Sequence, residues 1–387
     1  MELPAAVAPP VEYPAPFKVA GRIMARCLVG CGSNLGRRRE QLDRAVELLR
    51  CMPGVRMLAV SRFRETRPVG GPVGQSPYLN GACLLETDLG PHDVLGMLNA
   101  VENTLHRERT ERWGERTLDL DLLLYGDLVV DDAALTVPHP RMATRRFVLE
   151  PAVEIAADFE HPLAACSLRA LLDNISAPHP LVAVVGVPGS GAAEVAAAVG
   201  DAVLARVIHA PRPFPLPTPA TGPQAWHDLL AAWVEPLASA AGPDDPHGTV
   251  IDYCLDAIAA AAAVALSPTD AVRLEAALDR AARRVPVPHV AILLVASADV
   301  LEERVAMGCA FPGNAGDSGA GLHPATATLC GASSTGAALV DLQERLVRRL
   351  RGPGPRGPLS PKAVVTVDAS DLARAVAEAT AAVEAMV

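Results

Sequence analysis

The chain has 387 residues, of which 50% are hydrophobic and 3% aromatic, and it carries a formal net charge of −10 at pH 7. A chain of this length holds two or three domains of about 150 residues each, and its composition excludes a largely disordered or collagen-like protein. The acidic charge argues against a surface for nucleic acid or anionic membranes. The longest apolar stretch, residues 257–266, is about half of the roughly 20 residues that a membrane-spanning helix needs.

Residues 1–24 contain five prolines and no periodic hydrophobic pattern, so they are predicted to form a disordered tail. The tail lacks the basic flank and apolar stretch of a signal peptide, which predicts a cytoplasmic protein. The eight cysteines form no CxxC or CxxH pair. They are therefore predicted to be free thiols rather than parts of a zinc site or a redox motif.

The first half of the chain mixes strands and helices without regular βαβ alternation. Strands are predicted at residues 26–30, 55–63, 78–87 and 117–125, with 127–130 as hairpin partner of the last, and helices at 41–50, 91–105 and 144–156. Residues 66–77 are rich in glycine and proline, which predicts a loop. This mixture predicts an α+β sandwich.

The composition changes after about residue 178, where strands begin to alternate with Ala-rich helices. Strands are predicted at residues 181–185, 290–295 and 363–367, and helices at 190–199, 298–306 and 372–386, with two more Ala-rich helices between 223 and 290. Residues 211–223 and 351–361 are Pro-rich connections, and 313–336 is predicted to be a mobile loop. The alternation predicts a parallel α/β domain.

The strand predicted at residues 117–125 carries two carboxylates on one face. Side chains alternate along a strand, so Thr117, Asp119 and Asp121 point one way. Leucines 118, 120, 122 and 124 then pack the other way, into a core. Two carboxylates on one face repel each other unless a cation lies between them, and such oxygen ligands suit Mg²⁺ beside substrate phosphates. The alternative is a solvated acidic strand face.

Basic residues cluster just before these carboxylates, at Arg107, Arg109, Arg112 and Arg116. Guanidinium groups bind phosphate bidentately, so the cluster favours a polyphosphate site. Interleaved glutamates leave open the alternative of a solvated helix end. Trp113 belongs either to a core or to a stacking site for a planar ligand. His139, followed by Arg141, Arg145 and Arg146, is either a phosphate donor or a structural histidine.

These motifs resemble the 6-hydroxymethyl-7,8-dihydropterin pyrophosphokinases of folate biosynthesis. The resemblance rests on residues 32–36, 78–80, 112–121 and 137–142, followed by Arg145 and Phe147. It implies a ferredoxin-like α+β domain at residues 25–177, ATP as co-substrate, and two Mg²⁺ ions held by Asp119 and Asp121. By the same resemblance, the pterin contacts are Thr66, Pro68, Val69, Tyr78, Asn80, Trp113 and Phe147. The nucleotide contacts are Glu102, Arg107, Arg109, Arg116, Leu122, Thr136, His139 and Arg145.

The resemblance also implies a mechanism based on positioning and charge. The pterin hydroxymethyl oxygen attacks the β-phosphorus of ATP and AMP leaves, with Arg109 and Arg116 stabilising the developing charge. The loop over residues 61–77 is expected to close over the site and exclude water. Arg67 stands where the family usually has a second proline.

Residues 178–387 are predicted to form a P-loop kinase-like α/β domain with a parallel sheet. Gly186 and Gly191 have the spacing of a phosphate-binding loop, but Ala192 and Ala193 replace its lysine and its Ser/Thr. Residues 249–256 and 288–304 resemble the deoxynucleoside kinases. That family has an acidic base just after its second strand and basic residues in a lid. Here no acidic residue lies between Asp201 and Asp228, and no Lys or Arg lies between Arg304 and Arg345.

These losses together predict a non-catalytic second domain with a scaffolding or homodimerisation role. Besides a second copy of the chain, the expected partners are the small-molecule substrates dihydropterin and ATP, without nucleic acid or membrane. Two alternatives remain. The chain is a bifunctional enzyme that also phosphorylates deoxynucleosides, or it is an assembly protein in which neither domain is catalytic.

Overall fold

The computed structural model describes residues 18–19, 22–72, 74–105, 114–211, 222–238, 245, 247–307, 336–352 and 360–386. The predictions for Arg107, Arg109, Arg112 and Trp113 fall outside these residues, as do those for most of the N-terminal tail and for residues 313–335. Within the predicted tail, strands β1 (Lys18–Val19) and β2 (Arg22–Ile23) pair antiparallel. The described end of that segment is therefore a short hairpin.

The N-terminal half is built on an antiparallel sheet in the order β4–β6–β3–β7, with β5 also paired to β6. Its strands are β3 (Ala25–Ser33), β4 (Val55–Val60), β5 (Arg64–Thr66), β6 (Tyr78–Thr87) and β7 (Asp119–Tyr125). The prediction of β6 at residues 78–87 is confirmed residue for residue. The α+β class predicted for this half is confirmed as well, because helices pack on an antiparallel sheet.

Helices α1 (Arg38–Arg50) and α2 (Pro91–Thr104) cover one face of this sheet. The buried positions of α1 are Leu42, Ala45, Val46 and Leu49, which recur with the spacing of a helical stripe. They pack in one cluster with residues of β3, β6 and β7. The opposite face packs against α3 (Arg146–Ala156) and α4 (Leu168–Ile175).

Strand β7 differs from its predicted pattern at its end. Leu118, Leu120 and Leu122 lie in the cluster beneath α1 and α2, as predicted. Leu124 packs with Leu123 on the other face of the sheet. The cause is a register shift in the pairing of β3 with β7 between Leu28 and Val29, because an irregularity of this kind breaks strict alternation.

The hairpin partner predicted for β7 is also wrong. Strand β8 (Val130–Asp131) pairs antiparallel with β9 (Thr136–Val137), and β7 is an edge strand. A short 3-10 helix (Met142–Thr144) then leads into α3. A further two-stranded sheet, β10 (Glu160–His161) with β11 (Cys166–Ser167), precedes α4.

The C-terminal half has a five-stranded sheet in the order β13–β14–β12–β15–β16, with every pairing parallel. The strands are β12 (Leu181–Val185), β13 (Arg206–Ile208), β14 (Thr249–Ile251), β15 (Val290–Val295) and β16 (Ala363–Asp368). The parallel α/β class predicted from the alternation of strands and helices is therefore confirmed.

Seven helices of the C-terminal half belong to the described residues. They are α5 (Ala192–Val203), α6 (Gly222–Ala238), α7 (Leu255–Ala265), α8 (Pro268–Ala281), α9 (Ala298–Ala306), α10 (Gly336–Arg351) and α11 (Leu372–Glu384). Three of them, α6 to α8, lie where two Ala-rich helices were predicted. None of the helices in the described ranges is long and apolar enough to cross a membrane.

The two halves share one hydrophobic core. A single cluster contains Leu28 and Leu84 of the N-terminal sheet, Leu149 of α3, and Val184 and Ala379 of the C-terminal half. All five residues are fully buried. The C-terminal half therefore packs on the face of the antiparallel sheet that α1 and α2 leave uncovered.

Candidate active site

A cavity open to solvent lies over the face of the N-terminal sheet that meets the C-terminal half. The cavity brings together nine of the predicted site residues: Thr66, Val69, Tyr78, Asn80, Arg116, Asp119, Asp121, Arg145 and Phe147. Residues from three segments far apart in sequence thus converge on one pocket.

The carboxylates of the site stand opposite glycines. In the pairing of β3 with β7, Asp119 lies across from Gly32 and Asp121 across from Gly30. A β-carbon on Gly32 would lie 2.7 Å from the side-chain oxygen of Asn80, which is closer than van der Waals contact allows. Glycine at this position therefore leaves room for an amide and a carboxylate side by side above the sheet.

Two polar contacts fix the strand that carries the carboxylates. Arg116 Nη1 donates to Asp119 Oδ2 at 2.6 Å, and each of these side chains is 22% exposed. Glu102, which is buried on α2, accepts a hydrogen bond from the Leu120 backbone N–H at 2.7 Å. Because β7 is an edge strand, some of its backbone donors have no partner strand. The Glu102 carboxylate accepts a hydrogen bond from one of them, midway between Asp119 and Asp121.

Asn34 has a structural role that the sequence analysis missed. Its side-chain oxygen accepts the Arg116 backbone N–H at 2.8 Å, and its own N–H donates to the Arg116 carbonyl at 3.1 Å. Its amide group also donates to Gln75 and to the Ser76 carbonyl, both at 3.4 Å. Asn34 therefore ties Arg116 to the glycine-rich loop. Its place in the motif at residues 32–36 was the available signal.

The other end of the cavity carries amide, hydroxyl and aromatic groups. Asn80 donates to the Thr66 hydroxyl at 2.7 Å, across the pairing of β5 with β6. Burial raises the pKa of Tyr78 above its ordinary value, so its hydroxyl stays protonated and donates to the Gly114 carbonyl at 3.4 Å. Phe147 lies under the Arg145 guanidinium, 5.6 Å from the ring centroid. Such a set suits a planar, polar ring.

The segment before α3 is electrostatically unusual. Burial lowers the pKa of His139 to about 3, and Arg145 and Arg141 shift it in the same direction. The imidazole is therefore neutral near pH 7, and its Nδ1 accepts the Arg141 backbone N–H at 3.2 Å. Burial also lowers the pKa of Arg145, which the charges of Asp121 and Asp119 oppose.

Five predicted site residues in the described ranges do not line this cavity: Pro68, Glu102, Leu122, Thr136 and His139. The side chain of Leu122 is buried in the core, and Thr136 bonds to Asp131 at 3.3 Å. His139 borders a separate small cleft with His161, Arg351 and Lys362. The side chains of these five residues therefore do not contribute to the lining of the main cavity.

The carboxylate pair fits a divalent cation in its donor type and its place in the pocket. Asp119 and Asp121 offer oxygen atoms on one face of a strand, and both are half-buried at the cavity wall. In the part of the chain that the structure describes, this site included, no cluster of three or more His, Cys, Asp or Glu side chains is arranged to hold a metal. Mg²⁺ is commonly bound by one or two carboxylates together with phosphates and water.

The glycine loop of the C-terminal half has the expected backbone but not the expected chemistry. It lies between β12 and α5, with positive φ at Gly189 and Gly191. Ala192 begins the helix, and Arg304 donates to the Gly189 and Ala369 carbonyls at 3.4 and 2.8 Å. Where an acidic residue would follow β13, His209 contacts Asp252 at 2.7 Å.

Comparison with known proteins identifies the N-terminal half. The family model for 7,8-dihydro-6-hydroxymethylpterin-pyrophosphokinase matches residues 28–157. The pyrophosphokinase of Pseudomonas aeruginosa is 40% identical over 157 residues, which are 38% of this chain and 96% of that protein. That of Haemophilus influenzae is 40% identical over 139 residues, covering 36% and 86%.

The resemblance to a solved nucleoside kinase is distant. Deoxyadenosine kinase from M. mycoides with bound dCTP is 13% identical, with a TM-score of 0.31, over 51% of this chain and 94% of that one. A likeness at this level assigns neither fold nor activity to the C-terminal half. The Pseudomonas and Haemophilus relatives, in contrast, are matched over 96% and 86% of their length, and the family model spans residues 28–157. The chain therefore belongs to the 7,8-dihydro-6-hydroxymethylpterin-pyrophosphokinase family.

Proposed function

We propose that this chain transfers the pyrophosphoryl group of ATP to the hydroxymethyl oxygen of 6-hydroxymethyl-7,8-dihydropterin, releasing AMP, in the cavity described above. The observation that carries the proposal is the composition of one pocket. It holds a carboxylate pair and four arginines together with an amide–hydroxyl pair beside an aromatic ring. Transfer of phosphate groups to a planar polar acceptor requires charged residues for the phosphates and a polar, aromatic site for the acceptor in the same pocket.

The pterin would bind at the amide and aromatic end. Asn80 and Thr66 are already oriented by their mutual 2.7 Å hydrogen bond, so together they offer donors and acceptors to the edge of a planar ring. Phe147 would pack against the ring face, with Tyr78 and Val69 beside it. Resemblance to the family adds Trp113 and Pro68 to this half of the site.

The phosphates would bind at the charged end. Asp119 and Asp121 would hold two Mg²⁺ ions, completed by phosphate oxygens and water. When bound, such ions neutralise charge on the attacking and leaving oxygens. Arg116 and Arg145 line the same wall, and their guanidinium groups would grip the phosphates and stabilise charge as the bond to AMP breaks. Family resemblance adds Arg107 and Arg109, with Arg109 in a catalytic role.

Orientation and exclusion of water would come from the chain itself. Asn34 holds Arg116 in register through two backbone hydrogen bonds and reaches the loop at Gln75 and Ser76. A loop tied to the arginine of the site is suited to closing over bound substrates. Proximity of this kind contributes much of the rate in reactions that need little covalent help from the protein.

We propose that residues 25–177 form the enzyme and that residues 178–387 form a kinase-like module without catalysis. The support is chemical. Ala192 and Ala193 supply neither the ammonium group nor the hydroxyl that hold the phosphates and Mg²⁺ of a nucleotide. The retained glycine loop leaves a bifunctional deoxynucleoside kinase as the second candidate, and a homodimer through this module remains a proposal.

The test is formation of AMP from ATP and Mg²⁺ in the presence of the pterin. We expect pterin-dependent AMP from the unaltered chain and a loss of about a thousandfold or more in Asp119→Ala, because charge stabilisation worth several kcal/mol is removed. Asp127→Ala, an exposed carboxylate just after β7, is the matched control and should keep full activity. A folded protein that forms no AMP would contradict the proposal.

A further inference from the structure

The last strand and helix of the C-terminal module form part of the active-site wall. Val365 and Val367 of β16 line the same cavity as Asp119 and Asp121. Helix α11 contributes Glu378, Ala381 and Ala382 to that lining, and Ala385, which follows the helix directly, lines it as well. These four positions have i, i+3, i+4 and i+7 spacing, so one face of a single helix is turned towards the pocket.

An ion pair joins this helix face to the pyrophosphokinase domain. Arg141 Nη2 donates to Glu378 Oε2 at 2.7 Å, although the two residues are 237 positions apart. The Glu378 side chain is 6% exposed and that of Arg141 is 26% exposed. Arg374 also donates to Glu378 at 3.1 Å, and the Arg146 backbone N–H donates to the Ala385 carbonyl at 2.8 Å.

Arg141 belongs to the segment that carries other groups of the site. Its backbone N–H donates to His139 Nδ1 at 3.2 Å. The chain then passes through the 3-10 helix to Arg145, which lines the cavity. A carboxylate that fixes the guanidinium of Arg141 therefore also restricts where the next turn of chain can place Arg145.

We propose that the C-terminal module completes the pyrophosphokinase site, with Glu378 as a positioning residue that holds the Arg141–Arg145 segment for ATP. The small side chains of the alanines at 381, 382 and 385 leave space for substrate beside this wall. This inference rests on the proposed function, because it assigns Arg145 to the nucleotide. It also gives the module a role that needs none of the missing kinase residues.

Buried charge makes this contact sensitive to small changes. Glu378→Gln keeps the volume of the side chain but leaves the half-buried Arg141 without its carboxylate, so the segment is free to shift. Misplacement of a site group by about 1 Å can cost up to roughly a hundredfold in rate. Ala381→Leu tests the same wall in a second way, because it adds bulk on the cavity face and leaves both residues of the ion pair in place.

The experiment is steady-state kinetics of AMP formation on full-length variants, with thermal unfolding measured in parallel. We expect Glu378→Gln to raise KM for ATP about tenfold, with kcat and the KM for pterin changed less than threefold. Glu378→Asp should recover part of the affinity for ATP. Ala381→Leu should raise KM for at least one substrate about tenfold or more, by filling space that the ligand needs.

Two matched controls lie on the exposed face of the same helix, Glu384→Gln and Ala377→Leu, and both should behave as the unaltered chain does. Kinetics of Glu378→Gln and Ala381→Leu equal to those of their controls would overturn the inference. A lowered unfolding temperature with unchanged KM values would overturn it as well, because that result is purely structural. An unaltered chain that forms no AMP would instead contradict the proposed function.

Discussion

The active-site cavity of the N-terminal half and the glycine loop of the C-terminal half differ in the side chains that are available to bind phosphate. The cavity gathers Asp119, Asp121, Arg116 and Arg145. The loop is followed by two alanines, and the carbonyl of its Gly189 accepts a hydrogen bond from Arg304. The comparison shows that a fold can keep strand, loop and helix while the groups that do chemistry are absent.

The two regions also differ in how they depend on each other. Residues of β16 and α11 form part of the cavity lining, and the two halves share a core that includes Leu28 and Val184. The glycine loop has no contact with the carboxylate pair among the interactions described above. The C-terminal half thus supports the N-terminal site by packing rather than by chemistry of its own.

After Asp119→Ala, the largest effect is expected from Arg116→Ala, which removes charge from the cavity. Arg116 contacts Asp119 at 2.6 Å and faces the space proposed for the phosphates. Loss of one preorganised donor of this kind lowers kcat by about 100- to 1000-fold. Initial rates of AMP formation at saturating substrates measure the effect.

Arg169→Ala is the control for Arg116→Ala, since Arg169 is exposed on α4. It should keep the activity of the unaltered chain. If Arg116→Ala changed kcat less than threefold, the charged end of the cavity would not act on the reacting phosphates. The contrast between the two regions would then lose its chemical basis.

An intermediate effect is expected on the pH dependence of the free energy of unfolding, through His139 in the segment before α3. The pKa of His139 is lowered to about 3 by burial and by Arg145 and Arg141, whereas an unfolded histidine titrates near 6.5. The unfolded chain therefore binds a proton first, and stability falls as the pH drops below about 6.5. Between pH 7 and pH 5 this residue alone should cost about 2 kcal/mol.

Urea unfolding at pH 7 and pH 5 tests the titration of His139. His139→Gln keeps an acceptor for the Arg141 backbone N–H but cannot be protonated, so it should lose about 2 kcal/mol less than the unaltered chain over that interval. Equal losses in the two proteins would show that His139 titrates normally in the folded state. The measurement needs no substrate and is independent of catalysis.

The smallest effect is expected from restoring the phosphate-loop side chains of the C-terminal half. Ala192→Lys with Ala193→Ser supplies the two missing groups, but no acidic residue follows β13. We expect no nucleoside-dependent ADP from the double variant, measured beside the unaltered chain. Appearance of ADP would mean that only these two residues separate the module from a working kinase.

Local patterns in the sequence predicted much of this molecule. Strict alternation placed Asp119 and Asp121 on one strand face, and both line the cavity. Hydrophobic spacing predicted α1 and α2, because a helix buries every third and fourth residue. The order of four short motifs predicted the family, since each motif carries residues of the same pocket.

Other features depend on pairings that no local pattern encodes. The register shift opposite Leu28 and Val29 moved Leu124 to the other face of the sheet. The link between Arg141 and Glu378 joins residues 237 positions apart and exists only because the two halves share a core. Glu102 is expected from the family resemblance to contact the nucleotide, and only the fold shows that it accepts a hydrogen bond from the Leu120 backbone N–H.

The most direct test of the account is the identity of the nucleotide product made by the unaltered full-length chain. The chain would be incubated with ATP and Mg²⁺, either with the dihydropterin or with each of the four deoxynucleosides, and AMP and ADP would be separated and quantified. The account predicts AMP with the pterin and neither product above background with any deoxynucleoside. ADP formed with a deoxynucleoside would contradict the assignment of all chemistry to the N-terminal cavity.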